Sequence, residues 1–422
     1  MFLKSSTITW AFFTTTTLAL PSSIASLQKR DDTYSSTPLP PSQDPFYTAP
    51  LGFEHTPPGT ILRLRPAPGN LTSIVANCSA AYNILYRTTS SLYTPTYALT
   101  TLYIPLHPSN STPAPLLSYM FPYNSVDLDS SPSFSIYSSL LPDIVPSLSL
   151  GWYVSVPDYE GPLAANAAGI IEAHSTLDSL RAVLSSHLIP SDPRIALWGY
   201  SGGSIPAEWA LEFQEQYTPE LSIAGAALGG LVPNTTDVFD SVGGTIWASH
   251  AISGILGALV QYPDAYTYLL SQLKTKGPFN RTGFLAIRNM SYPEAHLVYA
   301  NQTMYDYFVN GAEILQAEPV RDVLRVNGVM TYHGVPKPPL FVYKATHDEV
   351  TVVADTDAYV ERNCAFGARI KYERNTVGGH VDELTNGDAR ALDWLAKLFE
   401  GGYETEGCTV QNVTVGIVDT GL

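Results

Sequence analysis

The period of the apolar positions changes repeatedly along the chain, and each change marks an element. Residues 96–104 (TYALTTLYI) alternate up to Pro105, the pattern of a half-buried strand. Residues 115–121 (PLLSYMF) and 152–156 (WYVSV) are short apolar runs that predict buried strands. Helical spacing over 173–186 sets Leu177, Leu180 and Leu184 on one face. A further buried strand is predicted over 194–198, a helix over 204–217 and a small-residue strand over 223–228. Pro206 falls in the first turn of that helix, where a missing N–H costs little.

The rhythm then breaks. Residues 232–333 are helical by spacing, with apolar stretches such as ISGILGALV (252–260) and YLLSQL (268–273). Strands return at 339–343 and 369–373, and a helix over 389–399 closes the pattern. Strands alternating with helices predict an α/β fold, a mostly parallel sheet with helices on both faces. Its core takes residues 45–231 and 334–422, with 232–333 inserted as a helical cap or lid.

The first 26 residues have Lys4, an apolar and threonine-rich run, and small residues around Ala25, the layout of a secretory signal peptide. Residues 27–44 follow as a Ser-, Thr- and Pro-rich leader that is expected to stay loose, with Lys29-Arg30 as a dibasic processing site. No later apolar run reaches the roughly 20 residues of a transmembrane span. The expectation is a secreted, extracellular protein with no transmembrane segment.

Composition adds exclusions. With 422 residues, 45% hydrophobic and 14% charged, the chain can bury a sizeable core. A net charge of −16 argues against nucleic acid as a partner, because phosphate backbones are met by clustered Lys and Arg. In a secreted chain the N-x-[ST] triplets at Asn70, Asn110, Asn234, Asn280, Asn289, Asn301 and Asn412 become expected glycosylation sites. Cys78, Cys364 and Cys408 predict one bridge and one leftover thiol. No cysteine or histidine spacing suggests a metal site, and no cofactor is expected.

The candidate chemistry centres on Gly199-Tyr200-Ser201-Gly202-Gly203, which fits G-x-S-x-G between a predicted strand and a predicted helix. Such a turn holds a serine hydroxyl clear of the sheet. A serine nucleophile needs a base, and the base needs an orienting acid. In folds of this type the order along the chain is serine, acid, histidine. Asp348 follows the 339–343 strand, and His380 is the sole histidine downstream of it. Glu349 and Asp355 are alternative acids. His347 reads as a loop residue, His174 as a helix-surface histidine and His250 as a cap histidine.

GYSGG, FVYKATHDEV, VPDYEGP, STLDSLRAV, ERNCAFGARI and GGHVDELTNGDARALDWLAKLFEG together resemble the fungal secretory lipase family over most of the mature chain. The resemblance implies an α/β-hydrolase fold with a lid-bearing cap, no cofactor, and hydrolysis of carboxylic esters, typically acylglycerols. It assigns the nucleophile to Ser201, the acid to Asp348 and the base to His380. One oxyanion donor falls on the Gly202 N–H. The other falls on Asn124, where the family has an acidic residue, so the amide is expected to keep donating toward neutral pH. The family also has a cysteine near Ser130 that this chain lacks, and it implies a bridge between Cys364 and Cys408 that leaves Cys78 over.

Three functions follow as expectations. The first is a triacylglycerol lipase, with transient lipid-interface contact through the cap. The second is an esterase or deacetylase of a small secondary metabolite, toward which the 26 tyrosines lean, since each offers an apolar face with a polar tip. The third, from another class, is a non-catalytic member of the fold that binds lipids or partners.

Overall fold

A computed structural model of the chain describes residues 37–138, 143–403 and 406–417. The predicted signal peptide and the Lys29-Arg30 site lie outside the described residues. The near end of the leader does not hang loose. Ser42 donates to Asp129 from both its N–H and its hydroxyl, and Asp44 forms a buried ion pair with Arg65 at 2.6 Å.

The strands are β1 (Ile61–Pro66), β2 (Cys78–Thr89), β3 (Pro95–Pro105), β4 (Pro115–Met120), β5 (Tyr153–Pro157), β6 (Arg194–Tyr200), β7 (Ile223–Gly229), β8 (Leu340–Ala345), β9 (Ile370–Asn375) and β10 (Cys408–Val413). They form one sheet in the order β1-β2-β3-β5-β4-β6-β7-β8-β9-β10. β1, β2, β3 and β5 pair antiparallel, while every pairing from β5 through β4 to β10 is parallel. β4 and β8 are buried along their whole length, which is why they read as largely apolar runs, interrupted only by Ser118 and Lys344.

Side chains still alternate between the two faces. Leu116, Met120, Leu197, Leu228 and Val342 enter one core, whereas Leu117, Tyr119, Trp198, Phe341 and Tyr343 enter the other. Helices Gly169–Ser185 and Ser204–Tyr217 cover the first face, and helix His380–Phe399 covers the second. The last of these starts nine residues earlier than the spacing predicts.

Between β7 and β8 come helices Thr235–Ser241, Ser249–Leu259, Pro263–Ser271, Arg281–Leu285, Tyr292–Tyr299 and Glu318–Asn327. Their buried residues Phe239, Ile252, Leu256, Leu269, Phe284 and Val320 join the core of the first sheet face. Buried polar contacts pin the insertion down. Asn327 accepts from Ile170 N–H at 3.1 Å and donates to Ala258 O, and Asn166 donates to Ser253. Shared apolar packing and satisfied amides fasten the insertion to the sheet layer.

Candidate active site

β6 ends at Tyr200, and the next residue, Ser201, takes φ +52°. A non-glycine side chain rarely adopts that backbone, so the turn holds local strain at this serine. Its neighbours must be small. A Cβ on Gly199 would lie 2.0 Å from Gly203 O, and one on Gly203 would lie 2.0 Å from Met120 O. The spacing of the motif is therefore steric, and the helix that follows starts at Ser204.

The structure brings Ser201, His380 and Asp348 into one hydrogen-bonded chain. His380 Nε2 is 2.8 Å from Ser201 Oγ, and His380 Nδ1 is 2.8 Å from Asp348 Oδ2. An ionised carboxylate only accepts, so Nδ1 carries the proton and Nε2 faces the serine as an acceptor. His380 is not in a loop but is the first residue of its helix. Three contacts fix that terminus: Glu349 accepts from His380 N–H at 2.9 Å, Asp382 accepts from Gly379 N–H at 2.9 Å, and Tyr200 OH donates to His380 O at 2.5 Å.

Asp348 is held as tightly. Its Oδ1 accepts from the Val350 and Thr351 N–H groups at 3.0 and 2.7 Å, and its Oδ2 accepts from Thr351 Oγ1. Burial alone would push its pKa up. Lys344 beside it and the His380 hydrogen bond outweigh that and hold the carboxyl below the usual carboxylate range. Lys344 is fully buried, donates to Leu231 O at 3.0 Å and also bonds the Thr351 hydroxyl. Sequence reasoning passed over it because it sits inside an apolar strand.

The alternative acids stand elsewhere. Glu349 meets the His380 backbone, and the carboxyl of Asp355 is pushed up to about 6 by burial and by Asp237. His174 is fully buried rather than on a helix surface, with its ring stacked on Tyr217 at 4.1 Å. Cys364 and Cys408 are bridged at 2.03 Å, which ties helix Val353–Ala365 to edge strand β10. Cys78 is free and buried.

Asn124 has φ +45°, and its side-chain amide abuts the backbone of Gly202. A Cβ there would come within 2.0 Å of Asn124 Oδ1. Two cavities of unequal size share Ser201 as a wall. One holds about 40 Å³ and is walled by Ile205, Val232, Val238, Phe239 and Gly254 among others. The other holds about 590 Å³, with Phe121, Tyr123, Phe134, Trp247, Tyr292 and Leu384 among its walls.

This fold and this serine–histidine–carboxylate chain define a serine hydrolase of the α/β-hydrolase class. The family model described as "Secretory lipase" matches residues 136–407, and the chain belongs to that family. It is 49% identical over 398 residues to trichothecene C-3 esterase of Fusarium sporotrichioides, covering 90% of this chain and 89% of the relative. It is 39% identical to a probable trichothecene esterase of Stachybotrys chartarum, over 92% of this chain and 83% of that one. The X-ray structure of Candida antarctica lipase A in its closed state superposes with a TM-score of 0.82 at 28% identity, covering 89% of this chain and 90% of that chain. The chain is a carboxylic ester hydrolase. No helix among the described residues is long and apolar enough to cross a membrane.

Proposed function

We propose that the chain is a secreted esterase that removes short acyl groups from bulky, hydroxylated alcohols. The observation that carries this reading is the inequality of the two cavities meeting at Ser201. Space of about 40 Å³ accommodates roughly three water-sized groups, so the acyl side suits an acetyl to butyryl chain rather than a fatty acyl chain. The 590 Å³ side suits a bulky alcohol. Asp127, Asp129, Glu294 and several serines line it, with neither Lys nor Arg among the described residues, which favours neutral hydroxylated compounds over anions. The relative named as a trichothecene C-3 esterase supports a small-molecule ester over acylglycerols.

In this mechanism Ser201 Oγ attacks the ester carbonyl while His380 Nε2 takes its proton, and Asp348 steadies the imidazolium. The Gly202 N–H and the Asn124 amide meet the oxyanion. His380 then protonates the departing alkoxide, leaving an acyl-Ser201 ester. Water attacks that ester, its proton passing to His380 and on to the serine as the carboxylic acid leaves.

Residues 232–333 act as the cap over this site. Ile246, Leu297 and Val298 are exposed on it, which supports brief contact with a lipid surface. Among the sequons Asn70, Asn110, Asn289, Asn301 and Asn412 are exposed, while Asn234 and Asn280 cap helices through their side chains. The exposed five are the preferred glycan sites of an extracellular protein. The test is turnover of cyclohexyl acetate against triolein by the secreted protein: the acetate should be cleaved and triolein left intact, and the reverse would refute the proposal.

A further inference from the structure

Three residues line both cavities: Asn124, Ser201 and His250. The first two belong to the proposed machinery, whereas His250 has no part in it. It lies on helix Ser249–Leu259, with its ring edge-on to Trp247 at 5.8 Å and to Tyr292 at 5.4 Å. His250 Nδ1 is 2.9 Å from Trp247 O. A carbonyl oxygen only accepts, so Nδ1 carries the proton and Nε2 presents a lone pair. Burial favours that neutral form and lowers the pKa to about 4, with His380 and His296 as the charged-state neighbours. Among the described residues Nε2 has no hydrogen-bond partner. His250 lines both cavities, so water meets this acceptor in the free enzyme, and a hydroxyl arriving with the substrate can take that water's place. The alcohol side is where the room for that donor lies.

We propose that His250 Nε2 accepts a hydrogen bond from a free hydroxyl next to the scissile ester, so that the enzyme selects monoesters of diols and polyols over esters of simple alcohols. This deepens the proposed function and rests on it. The role belongs to the insertion and not to the sheet, so the alcohol is read by a part of the chain that takes no share in the acyl transfer.

The test compares kcat/KM for trans-1,2-cyclohexanediol monoacetate with that for cyclohexyl acetate, in wild type, His250→Phe and His250→Gln. Within each protein the ratio is read, so a loss common to both substrates cancels. The wild-type ratio should be about tenfold, the size of one well-placed hydrogen bond. It should fall to near one in His250→Phe and recover in part in His250→Gln, whose amide oxygen accepts. A wild-type ratio of one, or a tenfold ratio that survives in His250→Phe, overturns the inference while leaving the short-acyl reading intact. A wild type idle on both acetates and active on triolein overturns that reading and this inference with it.

Discussion

Lys344 Nζ lies 3.4 Å from Asp348 Oδ2, and both side chains are fully buried. A positive charge thus stands against the same carboxylate oxygen that meets His380 Nδ1. The ammonium keeps the carboxylate ionised in a site where burial opposes ionisation.

Replacing Lys344 with Met removes that charge and keeps much of the volume. Asp348 then ionises less readily, and the Asp348–His380 pair takes up a proton at higher pH. The acid limb of kcat/KM should move upward by about one pH unit, with a loss of about tenfold at pH 6 and less at pH 8. A pH–rate profile on p-nitrophenyl acetate checks this. An acid limb that stays in place would mean Lys344 serves packing alone.

Asn124 lies against Gly202, and a carboxylate in its place would set an acceptor against the developing oxyanion, itself an acceptor. In Asn124→Asp the side chain donates only when protonated. Activity should fall about a hundredfold at pH 8 and recover toward pH 5. An unchanged profile would remove Asn124 from the oxyanion site.

Phe239 closes the smaller cavity: its ring packs so near Gly254 that a Cβ there would be 2.7 Å from Phe239 Cε1. Phe239→Val should open the acyl side. Relative kcat/KM for hexanoate over acetate should rise about tenfold in the p-nitrophenyl series. An unaltered ratio would place the acyl chain elsewhere.

Buried carboxyl groups set the stability profile. Burial pushes Asp158 up to about 7 and Glu172 up to about 8. Burial raises both Asp143 and Asp388, and the Asp143 carboxyl beside it raises Asp388 further. Each group keeps in the fold a proton that the unfolded chain releases, so its contribution is greatest at low pH and is lost as pH rises through the folded value. His174 and His250 oppose this only below about pH 6.5, because burial lowers both to about 4. From pH 6.5 to 9 the melting temperature should therefore fall, by roughly 5 °C. Differential scanning calorimetry across that range checks it, and a level or rising Tm would contradict it.

Much of this was legible in the sequence where local pattern and tertiary packing agree. The turn at Ser201, β4, β8 and helix Ser204–Tyr217 are such cases, because burial on both faces leaves an apolar run and close backbone approach demands glycine. β10 escaped notice because it is an edge strand, almost wholly exposed, and carries no apolar alternation. The true start of helix His380–Phe399 was hidden by Gly387. That residue reads as a break, yet a Cβ on it would be 2.2 Å from the Tyr343 ring, so glycine is there for packing. Lys344 and His250 were out of reach for another reason. Lys344 meets Asp348 only through the turn that follows β8, and His250 acts only as a cavity wall, so no local period encodes either.

The central claim is that Ser201 cleaves short acyl esters. Its most direct test is kcat/KM across p-nitrophenyl esters from acetate to palmitate, for wild type and Ser201→Ala. The account predicts a maximum at acetate to butyrate, a steep fall beyond, and a loss of at least about a thousandfold in the variant. Activity climbing toward palmitate, or surviving in Ser201→Ala, would contradict it.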